Sequence, residues 1–212
     1  MCSGRVDMAF VLRALANGAD GVFIGGCWLG ECHYVTEGNY DALSMMHLSR
    51  KVLEQVGINP ERLRLEWIAG SEGMRYAEVM NDFGKKLKEL GPIGAGEGIS
   101  ADGLKLKFKA VKKILPFLKL VERERLRVRF KTEEEYNEFF QSAAVTTMIR
   151  DLIADKLGLS QITTLLGWKP LSTREMAETL CLEPSEVARH LNNAARQGLV
   201  RYDESSKRYA IA

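Results

Sequence analysis

Ala19-Asp20-Gly21-Val22-Phe23-Ile24-Gly25-Gly26-Cys27-Trp28-Leu29-Gly30-Glu31-Cys32-His33-Tyr34 decides how this chain folds. It opens as a short apolar run ending in glycine, the pattern of a buried parallel strand. Upstream, Asp7 is placed to cap a helix through about Ala16, with Phe10, Leu12 and Leu15 offered to a core and Asn17-Gly18 as its stop. Downstream, Asn39 opens a second helix through about Val56, stopped at Gly57. Leu63 to Ile68 alternates with charge as a second strand, and Ser71 with Glu72 begins a third helix that ends at Leu90 before Gly91-Pro92. This alternation predicts an α/β fold, a small parallel sheet with flanking helices of Rossmann or flavodoxin-like type. Right-handed crossovers would set the cysteine turns at the carboxyl edge of that sheet, where open α/β folds build their sites.

Three of the four cysteines lie in such turns: Cys2 in Met-Cys-Ser-Gly-Arg-Val-Asp, then Cys27 and Cys32. Glycine lets the backbone curl, and curled turns aim amide N–H groups at sulfur, which stabilises thiolates that carry a metal or an iron-sulfur cluster. The alternative is a set of buried free thiols. Spacings of 24 and then four residues match no common zinc pattern, so spacing leaves both readings open.

The 212 residues suffice for one large or two small cores, and 46% hydrophobic with 27% charged content is ordinary globular composition. No run has the length of a membrane span, and no basic segment followed by an apolar one opens the chain, so a cytoplasmic protein is expected, with no membrane partner. Four cysteines are too sparse for a disulfide scaffold. No Ser-His-Asp arrangement, phosphate loop or dinucleotide fingerprint occurs.

Charge divides the chain. Residues 1–92 hold 10 basic and 12 acidic side chains, residues 93–212 hold 20 and 16. Residues 1–92 form the α/β domain; 93–103, within the glycine-rich run from Gly91 to Gly103, read as a linker. Residues 104–160 form a basic helical region: Leu104 to Lys131 carries eleven basic and two acidic residues, is broken at Pro116 and reads as one or two amphipathic helices, and Thr132 to Leu157 continues as helix. Its charge reads as a solvated or partner-facing surface. In residues 161–212, Ser172 caps a helix with Met176, Ala177 and Leu180. Pro184-Ser185 opens another with Val187, Ala188, Leu191 and Ala195, and strands at Leu199 to Tyr202 and Arg208 to Ile211 follow. That is a winged helix-turn-helix pattern. Arg189, His190, Asn192, Asn193 and Arg196, with Lys207 and Arg208, would be its contacts in a DNA-binding protein.

Cys-Ser-Gly-Arg-Val-Asp at 2–7, Gly-Ala-Asp-Gly-Val at 18–22, Gly-Cys-Trp-Leu-Gly-Glu-Cys-His-Tyr at 26–34 and Gly-Asn-Tyr-Asp-Ala at 38–42 together resemble the delta subunit family of methyl-viologen-reducing hydrogenase. The likeness continues through Pro60 to Trp67, Ser71-Glu72-Gly73 and Leu90-Gly91-Pro92, covering about the first 92 residues. The resemblance implies an iron-sulfur electron-transfer subunit with a [2Fe-2S] cluster. Such a subunit relays electrons between a catalytic oxidoreductase, such as a hydrogenase or formate dehydrogenase, and a flavoprotein similar to heterodisulfide reductase A. It makes Cys2, Cys27 and Cys32 cluster ligands and metal-binding residues, with no catalytic residue.

The resemblance also implies an extra strand and a further cysteine-containing segment ahead of Met1, so the fourth cluster ligand is expected from such a segment or from a partner. His33 reads as a hydrogen-bond donor or as packing beside Tyr34, with cluster ligation as the alternative, Cys181 as a small core residue, Arg5 as either a tuning charge or helix-start packing, and Trp28 and Trp67 as packing or interface residues. The rival function is an iron-sulfur redox-sensing DNA-binding regulator. With the winged helix read as a docking module, a nucleic-acid partner is not expected.

Overall fold

The computed structural model describes residues 2–35 and 37–212. They divide into two compact units, Met1–Ser100 with Pro116–Ile149, and Ala101–Leu115 with Arg150–Ala212. The chain crosses from one unit to the other at Ser100–Ala101, Leu115–Pro116 and Ile149–Arg150.

In the first unit a 3-10 turn, Ser3–Arg5, leads into α1 (Met8–Ala16), capped by Asp7, whose Oδ1 accepts from the Ala9 N–H at 2.8 Å. Met8, Val11, Leu12 and Leu15 are buried, whereas Phe10 is 53% exposed and stacks under Arg13, so the expectation that Phe10 joins the core is corrected. Its position two residues after Met8 turns it off the buried stripe. Strand β1 (Val22–Gly26) pairs in parallel with β2 (Leu63–Trp67), Val22 opposite Leu63 and Gly26 opposite Trp67. Between them runs α2 (Asn39–Gln55), with Ala42, Leu43, Met45, Met46, Leu48, Val52 and Leu53 buried. Such continuous apolar burial marks a central helix. α3 (Gly73–Leu90) follows β2, with Phe83 buried.

Gly91 to Gly98 is an ordered turn. It closes around Arg62, which is fully buried and meets Glu97 at 2.6 Å while donating to the carbonyls of Asp20 and Gly91, each at 2.9 Å. Glu97 also accepts from the N–H groups of Gly94 and Asn59. Both buried charges therefore have partners within the fold, as burial requires.

Helix α4 (Ala101–Val121) continues through Pro116 and is not broken there; the unit boundary falls at that residue. Proline removes one backbone bond of the helix, so the helix carries a local weakness at the point where its two halves serve different cores. A π-helical stretch, Glu122–Leu126, then α5 (Glu133–Gln141) and α6 (Ala143–Ile149) complete the first unit. Tyr136 stacks on Tyr40 and Phe140 on His47, the latter at 4.5 Å between centroids, tying α5 to α2.

The second unit contains α7 (Asp155–Leu166), α8 (Thr173–Leu180) and α9 (Pro184–Arg196), then the antiparallel pair β3 (Val200–Asp203) and β4 (Arg208–Ile211). Ser172 and Glu175 form a capping box on α8, and Gly198, at φ +67°, closes α9. Ile162, Leu165, Met176, Leu180, Val187, Leu191 and Val200 make its core. No helix among the described residues is long and apolar enough to cross a membrane.

Candidate metal centre

Parallel pairing sends both strands toward one edge, and the turn after β1 rises from it carrying Cys27 and Cys32. The turn before α1 brings Cys2 to the same place: its Sγ lies 3.8 Å from that of Cys32. That is too long for a disulfide, and all four cysteines are free. It is, however, the separation of two thiolates on one tetrahedral metal, since bonds of about 2.3 Å give an edge of about 3.8 Å. The Cys27 thiol, on the same turn, is near enough to influence the ionisation of Cys32.

The backbone around Cys32 favours thiolate. Burial opposes ionisation, but the N–H groups of Asn39 and Tyr34 and the neighbouring thiols outweigh it and hold Cys32 below the usual thiol range. Cys27 moves the other way, pushed up by burial and by Cys32. A group of thiols in which one ionises readily and the next resists is the response of like charges crowded together without a cation.

Two residues that sequence reasoning read only as helix punctuation hold this geometry. Gly38 has φ +55°, and a Cβ there would stand 2.4 Å from Cys32 Sγ, so only glycine leaves the sulfur its place. Asn39 is fully buried; its Nδ2 donates to the carbonyls of Cys27 at 2.8 Å and Trp28 at 2.7 Å, clamping the turn to the start of α2. The pair lies in the Gly-Asn-Tyr-Asp-Ala stretch, whose glycine before a helix-opening Asn was the available signal.

The rim is a mixture of aromatic and charged groups. Trp28 Nε1 donates to Glu72 at 2.9 Å and its ring lies under Arg75 at 5.0 Å, while the exposed His33 packs edge-on against Tyr34, as its reading as a packing residue requires. Trp67, on β2, donates to Glu133. Glu72 is held below its usual range by the Ala69 N–H and the Trp28 indole. A cavity of about 600 Å³ opens beside Cys2, lined also by Arg5, Tyr34, Glu37, Asp41 and Arg127. Two of its lining residues form an ion pair extended by a further acid: Arg127 Nε is 3.6 Å from Asp41 and 3.4 Å from Glu122, and burial keeps both acids above their usual range. Cys181 lies elsewhere. It is exposed at the end of α8 in the left-handed region, φ 54°, and is not the core residue expected from sequence, because the helix stops there and turns its side chain outward.

Among the described residues no three His, Cys, Asp or Glu side chains converge to hold one metal ion. A two-iron cluster takes four terminal ligands, so Cys2, Cys27 and Cys32 would fit such a group only with one further ligand.

A sequence profile of the family described as methyl-viologen-reducing hydrogenase, delta subunit, matches residues 1–91. Over 92 residues the chain is 58% identical to the D-type iron-sulfur subunit of the F420-non-reducing hydrogenase of Archaeoglobus profundus, covering 43% of this chain and 66% of that protein. It is 36% identical over 92 residues to the corresponding iron-sulfur subunit of the vhu F420-non-reducing hydrogenase of Methanopyrus kandleri, covering 43% of this chain and 69% of that protein. Over 95 residues it is 48% identical to the A component of the ferredoxin/F420H2-dependent CoB-CoM heterodisulfide reductase of Methanosarcina acetivorans, covering 45% of this chain and 12% of that protein. The matched residues are those that build β1, β2, α1 to α3 and the thiol group, and through them this chain belongs to the methyl-viologen-reducing hydrogenase delta subunit family.

Proposed function

We propose that this chain is an iron-sulfur electron-transfer subunit. In this reading Cys2, Cys27 and Cys32 hold a [2Fe-2S] cluster, with a fourth ligand from outside the described residues. The observation that carries it is the approach of two thiols from separate turns, Cys2 and Cys32 at 3.8 Å, at the carboxyl edge of a parallel sheet where the turn after β1 also carries Cys27. When bound, such a cluster supplies a one-electron carrier. The chain's own residues supply the rest. Asn39 and Tyr34 donate N–H groups to Cys32 sulfur, Asn39 fixes the turn, and the half-buried Trp28 with the exposed Tyr34 and Val35 forms a rim apolar enough to exclude water beneath a partner.

The partners in this reading are a catalytic oxidoreductase, such as a hydrogenase or formate dehydrogenase, and a flavoprotein similar to heterodisulfide reductase A. The occurrence of the matched segment both in hydrogenase iron-sulfur subunits and within the A component of a heterodisulfide reductase supports that pairing. Residues 1–92 would be a Rossmann or flavodoxin-like module, working in the cytoplasm, and residues 161–212 a winged helix that docks protein. The DNA-binding alternative has less to rest on. Of its contact residues, His190 is buried, Arg189 is paired with Asp155 and Arg208 with Glu175, each pair at 2.8 Å.

The test is iron and sulfide analysis with EPR of the dithionite-reduced protein, purified anaerobically with its native partners. A reduced [2Fe-2S] signal, lost on Cys32→Ser, is expected; a preparation with all partners and no cluster signal would sink the proposal.

A further inference from the structure

Ser3 follows Cys2 and is 7% exposed, yet among the described residues its hydroxyl has no hydrogen-bond partner. Buried hydroxyls are normally paired, and a lone one is a sign of a missing acceptor or donor. The backbone around it is committed: Cys2 O accepts from Arg5 N–H at 3.0 Å and Ser3 O from Val6 N–H at 2.9 Å, so the 3-10 turn fixes where the side chain points. It points at the end of β1. A Cβ on Gly26 would lie 2.9 Å from Ser3 Oγ, and Gly26 is the residue immediately before Cys27. The orphan hydroxyl therefore sits where the Cys2 turn meets the Cys27 turn, against a position kept as glycine.

We propose that Ser3 is a tuning residue, whose hydroxyl donates a hydrogen bond to a sulfur of the group held by Cys2 and Cys27. This rests on the iron-sulfur reading above. Reduction adds one electron, drawn from an external reductant such as dithionite, and breaks no bond; the added negative charge collects on sulfur. A donor aimed at that sulfur stabilises the reduced state more than the oxidised state and raises the potential. Asn39 Oδ1, also without a partner among the described residues, cannot do this because a carbonyl oxygen only accepts.

The experiment compares the full chain with Ser3→Ala and Ser3→Thr, purified in the same complex, by iron content per chain and by EPR-monitored redox titration. Ser3→Ala is expected to keep its cluster and become about threefold to tenfold harder to reduce, tenfold being 59 mV for one electron. Ser3→Thr, which keeps the hydroxyl, is expected to titrate within about twofold of the parent. In the cluster-free chain Ser3→Ala should melt no lower than the parent, since it removes a hydroxyl that has nothing to bond. An intact cluster with unchanged midpoint in Ser3→Ala overturns the inference and leaves the iron-sulfur reading standing, as does a Thr variant that titrates like Ala. A parent protein without any cluster removes both.

Discussion

Two glycine-rich turns of the first unit are built alike and finished differently. The one from Gly91 to Gly98 wraps a guanidinium and a carboxylate that satisfy each other and the surrounding amides. The one from Gly26 to Gly38 carries two thiols, Cys32 pushed toward ionisation and Cys27 away from it, and meets a third at Cys2, beside a hydroxyl and an amide oxygen that have no partner among the described residues. Curled backbone is common to both, so glycine alone says nothing about function. What separates them is electrical closure: the first turn needs nothing from outside, and the second gathers negative charge and unpaired polar atoms that a cation-rich group would complete.

The sharpest way to break this contrast is at the closed turn. Removing Glu97 strands Arg62, which has no access to water, so Glu97→Ala should lower the stability of the chain by about 3 to 5 kcal/mol, read from denaturant midpoints. Iron uptake per folded molecule should be unchanged. At the open turn the pattern inverts: Cys32→Ser should cost the cluster-free chain only about 1 kcal/mol while abolishing cluster assembly, read by iron content. Equal stability losses at the two turns would erase the distinction.

Gly38→Ala tests the cradle itself. A side chain there meets Cys32 Sγ and must hold φ +55°, so a loss of about 1 to 3 kcal/mol is expected, with reduced cluster content even though no ligand is changed. Normal loading would mean that the sulfur's position is not set by that glycine.

Acid reaches the closed turn and the core beneath the open one at different pH. Burial, with Arg50 and Lys51 nearby, lowers His47 from 6.5 to about 4. The unfolded chain therefore binds a proton that the folded chain refuses. Stability from this source is complete above pH 6.5 and is lost between 6.5 and about 4, at no more than roughly 1.4 kcal/mol per pH unit. Glu97 acts lower. Burial opposes its ionisation, but Arg62 and the amides of Asn59 and Gly94 outweigh that and keep the carboxyl below its ordinary 4.5. Its contribution is complete above 4.5 and disappears as pH falls through the folded value. His47→Phe, which keeps the stack on Phe140, should flatten the upper limb and leave the lower one; unfolding curves from about pH 7 to 4 that coincide in shape with the parent would contradict this.

The sequence made the periodic parts of the fold legible and the closed turn illegible. Asp7, Gly57, Ser172 and Gly198 act locally, so their caps and stops follow from residue type alone. The three cysteines were equally visible, because thiols among glycines are chemically conspicuous. Gly91 to Gly98 looked like a linker since its partner, Arg62, lies 29 residues before Gly91 and nothing in either segment announces the other. The same holds for Ser3 and Asn39, ordinary as a turn residue and a helix start until burial removes their water. Pro116 misled in the opposite sense: a local helix-breaking tendency of about 3 kcal/mol was overridden by packing on both sides of it.

Cys181 supplies the weakest expected effect and, for that reason, the control. It has the same side chain as the three clustered residues and also occupies a tight backbone position, but no glycine cradle surrounds it and its nearest polar contact is the Glu178 carbonyl at 3.9 Å. If curled amides and neighbouring sulfurs are what fit a thiol for a metal, then Cys181→Ser should leave iron content unchanged and alter stability by no more than about 0.5 kcal/mol, as exposed substitutions do. In the cluster-loaded protein Cys181 should also be the first thiol alkylated by iodoacetamide, since it alone is exposed and the other three would be shielded. Mapping the alkylated peptide by mass spectrometry decides the point: modification of Cys27 or Cys32 ahead of Cys181 would mean that the thiols in the open turn are unliganded, and the contrast between the two glycine-rich turns would have to be given up.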